Sequence, residues 1–304
     1  MDRDLTQLSE RLRAHVPGIG DARLERVGEG DFCVAYAAGE RWIVRVAKHG
    51  EAARALGREA CVLPVIAHRL PLPVPRPRHF ADPGGLAFSV HERVPGVELT
   101  RRAWEALPAA ERERAAAEVA GFLAALHSAD PAAGEACGLE RLDAAWLCDV
   151  RDRARARLHA LLPAGAAARV EAAFAAHLAD PRESERPLVL LHRDVAPGHV
   201  LYDPASGRVT GVIDFGDIAL GDPARDFIFF YEDFGTALLS LVLDRYGREP
   251  REVLLPRLRF WYLAETVHWT LCALEGGRRA DVAEGVAEIA REAAAVVDGT
   301  EHPR

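Results

Sequence analysis

The chain is poor in lysine. Lys48 is its only one, although lysine and arginine together number 38. Arginine in place of lysine, beside abundant alanine, is the mark of a GC-rich coding sequence and carries no function by itself. The five cysteines, Cys33, Cys61, Cys137, Cys148 and Cys272, form no C-x-x-C pair and are odd in number. No zinc site or disulfide framework is legible in that spacing, so each is expected to be a small buried hydrophobe. No uncharged apolar run reaches the ~18 residues that a membrane span needs. The N-terminus, MDRDLTQLSERLRAH, is charged throughout and lacks the apolar stretch of a signal peptide. The expectation is a cytoplasmic chain that meets no membrane. A basic surface is missing too: 46 acidic residues give a net charge of −8, which weighs against a nucleic-acid partner. What remains is ordinary globular composition, 49% hydrophobic and 28% charged over 304 residues. That excludes wholesale disorder and allows one large or two moderate domains.

The order of the elements is more informative. Apolar residues at Leu5, Leu8, Leu12 and Val16 have helical spacing. Short β-rich runs joined by glycines follow at 24–27, 32–37 and 42–47, and read as antiparallel strands. Residues 51–69 read as a helix. The repeated prolines of 71–80 exclude one there. A strand is expected at 86–91, closing at Val94-Pro95-Gly96. Long Ala/Leu/Arg/Glu segments at 109–128, 142–161 and 164–179 read as helices, as do 236–246, 252–275 and 280–297. A β-rich block interrupts them at 188–216. The pattern is a small β-rich N-terminal part, a joint near Pro95-Gly96, and a larger, mostly helical part.

The chemistry lies in that β-rich block. Behind the apolar run Leu188–Leu191 stands His192-Arg193-Asp194, with Gly198-His199 following. Further on comes Ile213-Asp214-Phe215-Gly216-Asp217. Phosphoryl transfer needs one carboxylate to orient the attacking hydroxyl and take its proton, and a second to hold Mg²⁺ on the nucleotide phosphates. It also needs a further metal ligand and a cation on the phosphates. The protein-kinase arrangement is H-R-D-x-x-x-x-N followed by D-F-G. Both tripeptides occur here literally and in order, with His199 where the asparagine would stand. Asp194 is therefore the candidate base, and Asp214 and His199 occupy the metal positions. Gly28 and Gly30, between two strands, suit a loop whose backbone approaches phosphates, although an ordinary hairpin turn has the same look. Either Arg45 or Lys48 is the phosphate-contacting cation: strand register favours Arg45, and its being the lone lysine favours Lys48. Glu59, on the next helix, is its candidate partner.

With Gly221-Asp222-Pro223-Ala224-Arg225-Asp226-Phe227 added, the chain resembles the aminoglycoside phosphotransferase family. Within it the chain is most similar to the 2''-phosphotransferases, over roughly residues 20–275. The resemblance implies a two-lobed, protein-kinase-like α+β fold, with an N-lobe at 1–94 and a C-lobe at 95–304. It implies transfer of the γ-phosphoryl group of ATP or GTP to a drug hydroxyl, with Mg²⁺ as cofactor and a monomer favoured. His91, Glu92, Arg93 and Val94 would form the hinge that reads the base. Aminoglycosides are polycations, so Asp217, Glu232, Asp233 and Glu265 are the candidate acceptor-binding acids, with Trp261 offering a flat face to a sugar ring. His127, closing a helix, is expected to be a packed, hydrogen-bonded structural histidine, and Asp222 and Asp226 to be structural too, capping a helix or bonding loop backbone. A macrolide or another hydroxylated metabolite is the alternative acceptor. A protein kinase and a non-catalytic nucleotide-binding module are the more distant readings.

Overall fold

Alternation of apolar and polar residues along the short N-terminal runs builds an antiparallel sheet with one covered face. In the computed structural model, which describes residues 2–81 and 85–298, helix α1 (Asp2–His15) precedes strands β1 (Leu24–Glu29), β2 (Cys33–Ala38) and β3 (Trp42–Ala47). Helix α2 (Gly50–Ile66), β4 (Arg78–Ala81) and β5 (Ala87–Glu92) follow, and the sheet order is β1-β2-β3-β5-β4. Leu8, Leu12 and Val16 pack on Val44, Phe88 and Val90, so α1 covers one face of the sheet. The two-residue period turns Arg45, next to the fully buried Val44, to the opposite face, where α2 lies. Strand β4 falls within the proline-rich stretch, at its last residues, where prolines stop.

Helix α2 ends at Ile66, short of the expected 69, and Ala67–Arg69 tightens into a 3₁₀ turn. Its two halves belong to different cores. Ala52 and Leu56 pack with Cys33 under the sheet. Val62, Leu63 and Ile66 belong to the large core of the helical part.

That part comprises β6 (Val97–Glu98), α3 (Arg101–Ala106), α4 (Ala109–Leu126), α5 (Pro131–Ala136), α6 (Ala144–Arg157), α7 (Ala166–Ala179) and α8 (Pro181–Ser184). Then come β7 (Val189–Leu191), β8 (Val200–Asp203), β9 (Arg208–Val212), β10 (Ala219–Gly221), α9 (Thr236–Tyr246), α10 (Arg251–Glu275) and α11 (Arg279–Asp298). Helix α10 runs through the centre with Leu254, Leu258, Leu263, Val267 and Leu271 fully buried. Two small sheets, β6-β8-β9 and β10-β7, are laid on this helical body. They carry the loops that hold Asp194, His199 and Asp214. At the joint, Gly96 has φ 125°, and a Cβ there would stand 2.2 Å from Thr210 Oγ1, so the chain passes under β9 only because this residue has no side chain. No helix among the described residues is long and apolar enough to cross a membrane.

The cysteine expectation is corrected. Cys61, on α2, is joined to Cys137, just past α5, with Cα atoms 5.7 Å apart. Local spacing could not show this, because the partners lie 76 residues apart and meet only when α2 folds onto α5. Cys33, Cys148 and Cys272 are free. A cross-link closing a loop of this length stabilises by about 4 kcal/mol through the unfolded state. Reductant, or Cys61→Ser, is expected to lower the melting temperature accordingly. Identical melting curves with and without reductant, together with five titratable thiols, would count against the cross-link.

Candidate active site

Strand β7 delivers His192-Arg193-Asp194 to one side of the inter-lobe cleft, and the β8–β9 hairpin delivers two more groups. His199 enters β8 and Asp214 leaves β9; Val200 pairs with Val212, and Ile213 N–H donates to His199 O at 2.9 Å. Residues distant in sequence thus become neighbours. Arg193 (φ 68°) and Asp214 (φ 63°) are the only non-glycine residues at positive φ among those described. Such strain persists where surrounding structure over-determines it. Here Asp226 does so at Arg193: its carboxylate accepts the backbone N–H groups of His192 (2.9 Å) and Arg193 (2.6 Å). The same carboxylate meets His127 Nε2 at 2.9 Å, and His127 Nδ1 meets the Tyr246 hydroxyl at 2.7 Å. Burial opposes ionisation of Asp226, but the His127 hydrogen bond and neighbouring charges outweigh it and hold the carboxyl below its usual range. Burial keeps His192 neutral. Its Nε2 donates to Ile213 O at 3.1 Å, and its Nδ1 accepts the Asp194 N–H at 3.2 Å, bracing one loop against the other.

Arg45 bridges the two lobes. Its Nη1 donates to Glu59 Oε2 at 2.7 Å and its Nη2 to Asp214 Oδ1 at 2.6 Å. Lys48 instead pairs with Glu29 Oε1 at 2.5 Å, so of the two candidate cations it is Arg45 that reaches Asp214. Burial, the largest influence, raises the Glu59 carboxyl, and Arg45 offsets part of it. Burial would raise Asp214 as well, but Arg45 and His199 hold it low. His199 Nδ1 lies 2.9 Å from Asp194 O and 3.2 Å from Asp194 Oδ2, while its Nε2 stands 3.7 Å from Asp214 Oδ2. Burial disfavours the imidazolium, yet Asp194 and Asp214 together push the His199 pKa up to about 9.

The cleft has two chambers. One, of about 740 Å³, has Val27, Ala35, Ile43, Val94, Leu201 and Ile213 as apolar walls, with His91 and Arg93 at its hinge side. The other, of about 490 Å³, is roofed by Gly28, Gly30 and Cys33 and floored by Asp194, His199, Asp214 and Asp217. Arg45 and Asp214 line both. Glu92 departs from the expectation: its side chain leaves the cleft and pairs with Arg41 at 2.5 Å. Its carbonyl accepts from His91 Nδ1 at 2.8 Å, and burial keeps that imidazole neutral. Among the described residues no three His, Cys, Asp or Glu side chains are grouped to hold a metal by themselves. That suits Mg²⁺, which takes one or two carboxylates and completes its shell from phosphate oxygens and water. Asp214, with His199 Nε2 facing its carboxylate, fits such a role.

Four acids flank the floor differently. Asp217 opens to the cleft; the surrounding protein and the charges of Asp194 and Asp214 hold its carboxyl above the usual range. Glu232 and Asp233 lie in a single π-helical turn, Phe230–Phe234, the kind of bulge found at functional sites. Glu232 is exposed and near the Tyr262 hydroxyl, at 3.4 Å. Burial, with the charge of Asp194, raises Asp233. Glu265 is corrected: it is 2% exposed and sealed beneath Arg225 and Arg193, the latter at 3.3 Å. Trp261 is corrected likewise. It is 3% exposed, and its ring face is covered by the Arg225 guanidinium, 4.4 Å from the centroid. Glu98 and Thr100, which also line the larger chamber, carried no sequence signal, because β6 has only two residues.

The core around Trp261 contains a titrating group. His177 stacks flat on Phe260, with ring centroids 3.9 Å apart, and burial pushes its pKa down to about 4. The unfolded chain binds this proton near pH 6.5, so between about 6.5 and 4 it holds more protons than the folded one. Stability is therefore lost as pH falls through that window, by about 2 kcal/mol at pH 5. His177→Phe is expected to lose less melting temperature than the parent between pH 7 and 5. An equal loss in both would refute this account.

Comparison with known proteins agrees with this geometry. The sequence profile of the phosphotransferase enzyme family matches residues 31–261. An aminoglycoside 3'-phosphotransferase of Streptomyces fradiae is 32% identical over 191 residues, which cover 59% of this chain and 68% of that protein. The GDP and kanamycin complex of APH(2'')-IIIa superimposes with a TM-score of 0.85 at 22% identity, covering 95% of this chain and 98% of that one. A macrolide 2'-phosphotransferase from Brachybacterium faecium gives 0.69 at 24% identity, covering 99% of both. These likenesses establish the two-lobed kinase-like fold, and the profile match, spanning both halves of the cleft, establishes that the chain belongs to the phosphotransferase enzyme family.

Proposed function

We propose that this protein transfers the γ-phosphoryl group of ATP or GTP to a hydroxyl of an aminoglycoside, inactivating the drug. The observation that carries the reading is the line Glu59–Arg45–Asp214 running across the cleft under the Gly28–Gly30 loop, with Asp194 beside it. Residues 1–94 act as the nucleotide roof and 95–304 supply the catalytic loops and the acceptor side. The base occupies the apolar chamber at His91–Val94. The phosphates reach the second chamber, where Arg45 faces them. Asp214 would hold Mg²⁺, joined by His199 once the metal displaces the proton that the two aspartates otherwise keep on its imidazole, and the ion would neutralise phosphate charge. Asp194 orients the drug hydroxyl and takes its proton as the bond to phosphorus forms. No covalent enzyme intermediate is needed. Asp217, Glu232 and Asp233 provide the negative rim that a polycation requires. The reaction belongs in the cytoplasm, where nucleoside triphosphates are available.

Complexes of similar structures support the reading in kind: APH(2'')-IIIa with GDP and kanamycin, and APH(2'')-IIa with streptomycin and ATP. The test is phosphate transfer by the purified protein with ATP or GTP against kanamycin, gentamicin and erythromycin. Drug-dependent turnover with kanamycin or gentamicin is expected. Turnover with erythromycin alone would move the acceptor to the macrolides. No turnover with any of the three would remove the antibiotic reading.

A further inference from the structure

The Cys61–Cys137 cross-link joins elements that serve opposite sides of the cleft. Cys61 lies two residues past Glu59 on α2, just over half a turn round the helix. Glu59 is therefore turned inward to Arg45, while the sulfur stands on the outer face. Cys137 follows α5, which packs on β7, the strand that delivers Asp194. That packing is close: a Cβ on Gly134 of α5 would stand 2.9 Å from Leu190 Cδ2. The bond thus ties the helix of the Glu59–Arg45–Asp214 line to the strand of the Asp194 loop. It does so where α2 passes from the core under the sheet to the core of the helical part. Pro64 offers no N–H to the carbonyl of Ala60, so α2 is weakest at that crossing. The bond is also within reach of solvent, since Cys61 is exposed and Cys137 half-buried.

Resting on the nucleotide reading above, we propose that Cys61–Cys137 is a thiol–disulfide exchange site for small thiols of the glutathione class, whose redox state sets nucleotide affinity through α2. The proposed reaction draws on cytoplasmic nucleoside triphosphates, in a compartment where glutathione keeps thiols reduced. A disulfide there is transient and redox-sensing, and exposed disulfides are the labile ones. Two glutathione molecules balance the exchange. The thiolate of the first attacks Cys61 Sγ, the S–S bond breaks, and Cys137 leaves as a thiolate that takes up a proton. The thiolate of the second attacks the glutathione sulfur of the mixed disulfide, and Cys61 leaves and is protonated in turn. Glutathione disulfide departs, its two thiols having given two electrons and two protons to the protein. Glutathione disulfide as oxidant drives the reverse and restores the cross-link. With the bond closed, α2 is held with Glu59 on Arg45 and Arg45 on Asp214. With it open, α2 is free to bend at Pro64, and nucleotide binding has to order the line first, which weakens it. Linkage is reciprocal, so nucleotide favours the disulfide by the same factor.

The test equilibrates the purified protein at set ratios of reduced to oxidised glutathione, with and without Mg²⁺ and non-hydrolysable analogues of ATP and GTP. Alkylation and mass measurement then give the fraction cross-linked. Calorimetric Kd values for the same nucleotides are measured on the oxidised parent, the reduced parent and Cys61→Ser/Cys137→Ser, all well below their melting temperatures. The cross-link is expected to form and open reversibly. Nucleotide Kd should be about 5–10-fold weaker in the reduced parent, the low end of ordinary coupling between sites. The double variant should match the reduced parent and ignore glutathione. Nucleotide should shift [GSH]²/[GSSG] at half-oxidation by the same factor, which a cross-link serving stability alone would not do. Equal Kd values for the oxidised and reduced parent would overturn the inference, as would a glutathione balance that nucleotide leaves unmoved. So would a redox response that survives in the double variant, which would assign it to another thiol such as Cys33, or thiols that glutathione disulfide never joins. If Kd follows redox state but no drug is phosphorylated, the inference stands and the proposed acceptor fails. If drug is phosphorylated and Kd ignores redox state, the proposed function stands and the inference falls. If no nucleotide binds, both fall.

Discussion

Asp194→Asn is expected to reduce kcat for phosphate transfer by about 10³-fold, within the 10²–10⁴ range of a lost general base, with KM for nucleotide and drug nearly unchanged. Asparagine keeps the shape and the contact with His199 Nδ1, 3.2 Å away in the parent, but it neither takes a proton nor orients a hydroxyl through a charged acceptor. The loop itself should hold. Its backbone is fixed by Asp226 and His192, and neither bond involves the Asp194 side chain. Melting curves of parent and variant should therefore nearly coincide. A loss smaller than about tenfold in kcat would remove Asp194 as the base.

Arg45→Met should damage both stability and function. The guanidinium is 13% exposed and its partner Glu59 is 1% exposed. Methionine leaves that carboxylate buried without its cation, at a cost of about 3–5 kcal/mol. It also frees Asp214 and removes the positive group that, in the proposed function, would face the phosphates. The double variant Arg45→Met/Glu59→Gln separates the two effects, because glutamine removes the stranded charge. It should recover most of the melting temperature and none of the phosphate transfer. Arg45→Lys should be intermediate, since one ammonium cannot replace two nitrogens aimed at separate carboxylates. Recovery of transfer in the double variant would mean that Arg45 serves folding alone.

The candidate catalytic pair was legible because each carboxylate sits in a short string behind an apolar strand, and a local string survives folding intact. The same holds for Asp226, whose role in bonding loop backbone follows from its place in the Gly221–Phe227 segment. The choice between Arg45 and Lys48 needed more than the string. Arg45 is inside β3, where Ala35 and Ser89 flank it and alternation turns it from α1 toward the cleft. Lys48 lies beyond the strand end, where no register holds it.

The acceptor side shows the opposite case. Helix α10 is buried nearly all round, so its periodicity marks no outward face. An acid and an aromatic on such a helix, Glu265 and Trp261, look from sequence like groups offered to a ligand. In the structure the single residue Arg225 is buried against both of them. The Cys61–Cys137 cross-link and the placement of Glu98 were equally hidden, because each depends on pairing between distant segments. Sequence alone marked the two candidate loops and the division into a β-rich and a mostly helical part, both properties of contiguous residues. Which charges face the cleft and which are neutralised beneath it was decided only by tertiary packing, because a charged side chain's role depends on the partner that folding brings within about 4 Å of it.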